Sequence, residues 1–213
     1  MQVRKVVTRS GRGFRGYFPS KKLNRMVEYE SLLERDAILL FEFSSGVVSY
    51  QEQPEMIYYN DGDKTRQYFP DFEVVLITGE IIHVEVKPYQ RLNTPELLNK
   101  FGAIAAHYQT HRAEFKILTE KNIRREPLLS NLKRLASLKQ SDSNLDRAFN
   151  ICQQRLLLDR ICSVAELSEG FMTGEVFRLI AQGKLICDLE QKLDSNTNFV
   201  RIRQGDHDAT LLL

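Results

Sequence analysis

The sequence predicts an α/β fold in which a mixed sheet is flanked by helices, followed by a small C-terminal domain built mainly from helices. Apolar periodicity gives the order helix, three strands, helix and strand across residues 31–119, which suits a sheet covered by helices. A polar break at residues 140–144 separates this part from a second helical segment. The length of 213 residues accommodates one large or two small domains.

The first helix precedes two β-rich regions. Residues 31–41 have the periodicity and residue types of a helix, and Ser31 and Glu34 stand in the S-x-x-E relation of a capping box. Residues 47–59 are the first strand candidate, and residues 65–77 form a second β-rich run.

A third strand is predicted over residues 81–87, joined to the preceding run by a short turn at 78–80. Period two places His83, Glu85 and Lys87 on one face of this strand and its valines on the other. Glu85 and Lys87 therefore point the same way.

Another helix and strand complete the first domain. Thr94 is a predicted N-cap followed by a proline at N1, and the helix runs to about Gln109. Residues 113–119 predict a strand. A further helix is predicted across residues 127–138, within a basic segment.

The C-terminal part predicts a small winged helix-turn-helix. Residues 164–167 form a short helix, and Thr173 caps a second helix that stops at Gly183. Strands are predicted at 185–189 and 199–202.

The charge of this C-terminal part does not favour tight DNA binding, because residues 146–203 carry eight bases and eight acids. Docking of a protein partner is an equal alternative. The final residues, 206–213, predict either a disordered end or a peptide anchor for that partner.

The strongest chemical signal is Asp71 after Pro70, followed by Glu85 and Lys87 on the next strand. Phosphodiester hydrolysis needs an activated water and cationic help for charge on the phosphoryl oxygens, and a carboxylate-held Mg²⁺ supplies both. A neighbouring lysine orients the water or stabilises the developing charge. The alternative is a surface hairpin with a Glu/Lys ion pair. Glu34 is the candidate third acid, although it also suits a helix cap, and Glu30 and Asp36 compete for the role.

Together, the helix with Glu34, the segment 69–72 and the run 84–88 resemble the TnsA endonucleases. These proteins are the PD-(D/E)xK-fold subunits of heteromeric cut-and-paste DNA transposases. The similarity covers approximately residues 28–120. It implies a restriction-endonuclease-like mixed sheet flanked by helices, with a small C-terminal winged-helix-like domain.

The resemblance also implies an active site. In that family a helix glutamate, an aspartate and a Glu-x-Lys pair act together, which places Glu34, Asp71, Glu85 and Lys87 in those roles. Asp71 and Glu85, completed by Glu34, are expected to hold Mg²⁺, for which Mn²⁺ is an expected substitute. Lys87 is expected to assist the water or the phosphate.

By the same resemblance, the enzyme nicks the 5′ ends of a transposon in double-stranded DNA. An integrase-type transposase subunit cuts the 3′ ends, and an AAA+ ATPase regulator joins them. Two alternatives stay open: a stand-alone PD-(D/E)xK restriction or junction-resolving nuclease, and a non-catalytic DNA-binding adaptor.

Charge is distributed unevenly along the chain, which has a net charge of +2. Residues 1–27 contain eight Lys or Arg and no acid, whereas residues 28–120 contain eight bases and sixteen acids. The predicted DNA contacts in this basic arm are Arg9, Arg12, Arg15, Lys21, Lys22 and Arg25. A flexible solvated tail is the alternative.

These observations give a four-part organisation. It comprises a basic N-terminal arm (1–27), a nuclease domain (28–120), a basic helical connector (121–145) and a winged-helix-like DNA- or partner-binding domain (146–213).

The remaining patterns are negative. No run of eighteen apolar residues and no apolar N-terminal stretch is present, so we expect a cytoplasmic protein without membrane contact. The resemblance to the TnsA endonucleases implies a prokaryotic protein. The three cysteines lack a C-x-x-C pair and predict buried free thiols. The G-x-G-x-x-G sequence at 11–16 predicts a loop, because no convincing strand precedes it. His107 and His111 lack a third metal ligand and predict surface histidines.

Overall fold

The computed structural model describes residues 14–62, 64–111, 113–139, 145–158, 162–169, 172–197 and 200–202. The chain divides into two compact units, the first ending at Arg124 and the second beginning at Arg125. Across the described ranges, no helix has both the length and the apolar character needed to cross a membrane.

The first unit opens with a hairpin and a buried helix. β1 (Gly16–Ser20) and β2 (Arg25–Tyr29) pair antiparallel. α1 (Leu32–Phe43) begins after its N-cap Ser31, whose Oγ accepts the backbone amide of Glu34 at 3.1 Å. The helix predicted here is therefore present, with the predicted capping residue at its start.

The rest of the first unit contains six strands and three helices. In chain order these are β3 (Val47–Glu52), β4 (Ile57–Asp61), β5 (Lys64–Tyr68), β6 (Phe72–Leu76), β7 (Ile81–Val86), α2 (Tyr89–Leu92), α3 (Pro95–Thr110), β8 (Glu114–Leu118) and α4 (Glu120–Ile123).

Four of these strands form the central sheet in the order β3-β6-β7-β8. β3 pairs antiparallel with β6, and β6 pairs antiparallel with β7, whereas β8 runs parallel to β7 after the crossover through α2 and α3. The sheet is therefore mixed, as the sequence predicts. β4 and β5 form a separate antiparallel hairpin beside α3.

The two long helices cover opposite faces of the sheet. Phe41 of α1 packs edge-on against Phe72 of β6, with ring centroids 5.2 Å apart. Tyr108 of α3 packs against His83 of β7 at 4.6 Å. Phe72 pairs with Val84, which is next to His83 and therefore points to the other face. The predicted arrangement of a sheet flanked by helices is present.

One strand prediction is wrong. Residues 47–59 do not form a single strand, because the chain turns at Gln53 with a φ of 40°, which an extended strand cannot contain. The backbone amide of Gln53 donates to the carbonyl of Asp71 at 2.9 Å. The β4–β5 hairpin is therefore an insertion between β3 and β6, and the chain leaves and re-enters the sheet at adjacent positions. The β-rich run at 65–77 is accordingly divided between β5 and β6.

The second unit contains four helices and two short strands in its described residues. They are α5 (Leu128–Lys139), α6 (Asp146–Leu158), α7 (Val164–Leu167), α8 (Thr173–Ala181), β9 (Leu185–Ile186) and β10 (Arg201–Ile202).

β9 and β10 pair antiparallel, and an isolated bridge joins Cys162 to Val200. Thr173 is the first residue of α8 and not its cap, because the N-cap is Met172, whose amide donates to the Glu175 carboxylate at 3.1 Å. A helical module with a short two-stranded pair is thus present, and its assignment as a winged helix stays a prediction.

The structural boundary differs from the predicted segments. α4 lies in the first unit and α5 in the second, so the predicted connector 121–145 is divided between them. Residues 16–27 of the predicted arm belong to the β1–β2 hairpin, whereas residues 1–13 and the tail 206–213 lie outside the described residues.

Candidate active site

The strands β6 and β7 bring two of the predicted site residues together. Asp71 directly precedes β6, and the pairing of Phe72 with Val84 places it beside the end of β7. The Oδ2 atom of Asp71 accepts the backbone amide of Val86 at 2.7 Å. Because Val86 follows Glu85, this bond fixes the aspartate next to the glutamate.

Glu85 is buried at 3% exposure and is held through both carboxylate oxygens. Its Oε1 lies 2.8 Å from Nζ of Lys87, and its Oε2 accepts the hydroxyl of Tyr68 at 2.6 Å. The backbone amide of Lys87 donates to the carbonyl of Leu118 at 3.0 Å, so the lysine backbone is anchored to β8. Glu85 and Lys87 therefore meet as the strand alternation predicts.

Glu34 forms the helix cap that was the alternative to a catalytic role. Its Oε2 accepts the backbone amide of Glu30 at 2.7 Å, and its Oε1 accepts the hydroxyl of Ser31 at 2.9 Å. Burial raises the pKa of Glu34 above its usual range, although these two hydrogen bonds oppose the shift. The negative charge of Glu34 also raises the pKa of Asp71 and of Lys87.

Negative charge dominates this centre. Burial of the Asp71 carboxylate raises its pKa well above the ordinary value, and the neighbouring charges of Glu85 and Glu34 raise it further. Burial alone lowers the pKa of Lys87, but the same three carboxylates raise it more, and the net shift is upward. Lys87 therefore stays charged beside these carboxylates.

The chemistry of this donor set suits a hard divalent cation, because Mg²⁺ prefers carboxylate oxygens. Asp71 and Glu85 lie beside each other at the end of β7 and are the residues placed to supply them, whereas the Glu34 oxygens accept cap hydrogen bonds. No group of three or more His, Cys, Asp or Glu side chains is arranged to hold a metal within the described ranges.

The two acids that compete with Glu34 have other partners. Asp36 is 1% exposed and binds Arg35 at 2.8 Å and Arg124 at 2.9 Å. Glu30 lies 3.3 Å from Arg15. Asp36 therefore links α1 to the residue that follows α4, apart from the acidic centre.

The histidines have local partners. Nε2 of His83 lies 3.4 Å from Glu73, and burial lowers the pKa of His83, which favours a neutral ring packed on Tyr108. His107 and His111 stack on each other at 4.2 Å.

Lys22 and Arg25, which the sequence predicts as DNA contacts, make structural hydrogen bonds. The Nζ of Lys22 donates to the carbonyls of Phe41, Ser44 and Val47 at 2.8, 2.7 and 2.6 Å. These three bonds use every donor of the ammonium, so Lys22 closes the C-terminal end of α1 and has no donor for a phosphate. The guanidinium of Arg25 donates to both oxygens of Glu52 at 2.6 Å.

The other predicted contacts remain predictions. Lys21 is exposed on the turn after β1, and Arg15 is partly buried beside Glu30. Arg9 and Arg12 lie outside the described residues.

Tyr68 is the site residue that sequence reasoning missed. It stands three positions before Asp71, and its sequence signal was a large aromatic at the end of an otherwise polar run. Only the tertiary structure shows that its hydroxyl reaches Glu85.

The first unit has a mixed sheet flanked by helices, and two acids and a lysine lie together where β6 begins and β7 ends. This arrangement is compatible with the nuclease class of α/β proteins. Residues 44–120 match the family model described as the TnsA-like endonuclease N-terminal domain, and this similarity supports the TnsA endonuclease family. The match includes Asp71, Glu85 and Lys87 and suggests a nuclease; Glu34 lies before it. No curated protein matches the chain.

Proposed function

We propose that the chain is a Mg²⁺-dependent DNA endonuclease that nicks the 5′ ends of a transposon during cut-and-paste transposition. The observation that carries the proposal is the convergence of Asp71, Glu85 and Lys87 inside the segment that matches the family. The carboxylates of this acidic centre suit an additional cation beside the Lys87 ammonium.

The residues divide the chemistry among them. A bound Mg²⁺ would lower the pKa of a water and offset negative charge on the scissile phosphate. Asp71 and Glu85 would hold the ion, with Glu34 completing its surroundings. Lys87, whose pKa the nearby carboxylates raise, would assist the water or supply positive charge to the phosphoryl oxygens.

Substrate capture requires more than this centre. The acidic segment 28–120 repels a polyanion, so the basic arm at residues 1–27 is the proposed phosphate-binding element. The proposed partners are an integrase-type transposase subunit and an AAA+ ATPase regulator. The second unit is the proposed surface for DNA or for one of these proteins.

The test is cleavage of a supercoiled plasmid that carries transposon ends, with and without the partner subunits. We expect Mg²⁺-dependent nicking by the wild type, and a loss of about 10²-fold or more for Glu85→Gln and Lys87→Ala. Glu73→Gln is the matched control, because Glu73 lies on β6 and contacts His83. Full cleavage by Glu85→Gln would refute the proposal.

Partner dependence separates the alternatives. Robust sequence-specific cutting by the chain alone would indicate a stand-alone restriction or junction-resolving nuclease. Unchanged metal binding and DNA processing in Asp71→Ala and Lys87→Ala would leave the non-catalytic adaptor.

A further inference from the structure

Tyr68 makes a short hydrogen bond to Glu85. Its hydroxyl donates to Oε2 at 2.6 Å, and the two residues are 5% and 3% exposed. A hydroxyl that donates to a carboxylate over this distance forms a strong, charge-assisted hydrogen bond. Burial of both groups shields the bond from competing water.

The Tyr68 ring is itself held in place. Residues 64–67 of β5 are exposed, whereas Tyr68 ends the strand in a buried cluster of aromatic side chains. Its ring packs edge-on against Tyr59 at 6.4 Å and against Phe115 at 6.2 Å. Nζ of Lys100 lies 5.3 Å from the ring centroid. The hydroxyl therefore reaches Glu85 from a fixed position.

This contact leaves Glu85 little rotational freedom. Oε2 is directed to Tyr68, and Oε1 is directed to Lys87 at 2.8 Å. Removing the phenolic hydroxyl frees one side of the carboxylate to rotate about its last bond. Hydrogen-bond partners that orient a metal-ligating side chain change metal affinity or activity by about 10–100-fold when they are mutated.

We infer that Tyr68 is a positioning residue that orients the Glu85 carboxylate for divalent-metal binding. The inference rests on the proposed function and adds a role for the β4–β5 hairpin. Because Tyr68 is the last residue of β5, the β4–β5 hairpin positions the tyrosine that contacts Glu85, while residues 64–67 face solvent.

The experiment uses full-length Tyr68→Phe, which removes the hydroxyl and retains the ring. We expect the Mg²⁺ concentration for half-maximal nicking to rise about tenfold. The KM for DNA should stay unchanged, and saturating Mg²⁺ should restore most of kcat. Tyr59→Phe is the matched control, since Tyr59 is 3% exposed in the same cluster and should keep the wild-type metal dependence.

Calorimetric titration with Mg²⁺ gives a readout separate from cleavage. Tyr68→Phe should weaken binding about tenfold in the wild-type background and have no effect in Glu85→Gln. Equal Mg²⁺ dependence of Tyr68→Phe and the wild type would overturn the inference while leaving the proposed function intact. A wild type that neither binds Mg²⁺ nor cleaves would overturn both.

Discussion

The carboxylate of Asp71 accepts the backbone amide of Val86 at 2.7 Å, across the junction of β6 and β7. This bond sets the aspartate by the backbone of the neighbouring strand and not by another side chain. Within the described part of the chain, Oδ1 of Asp71 accepts no hydrogen bond. Glu85 and Lys87 flank Val86, so the two acids and the lysine form one unit.

Asp71→Asn should abolish cleavage while stabilising the metal-free protein at neutral pH. Burial and the charges of Glu85 and Glu34 raise the pKa of Asp71, so its ionisation costs folding stability. The asparagine side-chain oxygen can still accept the Val86 amide. We expect at least about 10²-fold slower nicking and a higher denaturation midpoint.

The stabilisation by Asp71→Asn should depend on pH. The folded state binds the Asp71 proton more tightly than the unfolded state, so stability from this group is present below the unfolded pKa of about 3.9 and is lost as pH rises. The advantage of Asp71→Asn should therefore be small at pH 3 and grow towards neutral pH. A difference that stays constant with pH would contradict this account.

The two roles of Glu34 should separate between neighbouring substitutions. Ser31→Ala removes the N-cap hydroxyl and should lower the free energy of unfolding by about 1 kcal/mol, with little change in Mg²⁺ dependence. Glu34→Gln retains an acceptor for the Glu30 amide but removes the charge, so it should slow nicking more than it destabilises. Chemical denaturation and plasmid nicking of both variants measure this. Equal nicking by Glu34→Gln and the wild type would leave Glu34 as a helix cap alone.

Lys22 and Lys21 should respond oppositely to substitution by methionine. Lys22→Met loses three ammonium bonds to carbonyls between the last turn of α1 and the start of β3 and should destabilise by about 2 kcal/mol. Lys21→Met changes an exposed side chain, while its backbone amide keeps its bond to Glu42. We expect near-normal stability and weaker DNA binding from Lys21→Met. The reverse order in urea denaturation would show that Lys22 does not close the helix.

The salt dependence of DNA affinity tests the basic arm. Each lost phosphate contact should reduce the slope of log K against log salt by about 0.9. The double variant Arg9→Ala/Arg12→Ala should therefore lower the slope by about 1.8. Lys64→Ala is the control, because its side chain is exposed on β5, outside both the predicted contact set and the second unit. A slope unchanged in the arm variant would remove the arm from the DNA interface.

The local parts of the site could be predicted from sequence because strand alternation and a short turn determine them. Glu85 and Lys87 share a face by period two, and the turn after Leu76 brings β6 beside β7. Lys22 and Tyr68 could not be assigned, because their partners lie on elements distant in sequence. Local sequence patterns do not predict which distant group a long side chain reaches. Lys22 lies in a basic run but binds carbonyls at the end of α1, and Tyr68 ends a polar run but binds the Glu85 carboxylate.

Exchange of the metal should separate DNA binding from cleavage. Ca²⁺ accepts six to eight oxygen ligands at variable geometry, whereas Mg²⁺ requires near-octahedral coordination that positions a water more strictly. We expect Ca²⁺ to support DNA binding and metal-dependent stabilisation but only poor nicking, with full activity after replacement by Mg²⁺. The stabilisation should reach about 2.7 kcal/mol when the free ion is at 100 times its Kd. Asp71→Asn should lose this metal-dependent stabilisation, whereas Glu73→Gln should retain it. Nicking at equal rates in Ca²⁺, Mg²⁺ and excess chelator would refute a metal requirement.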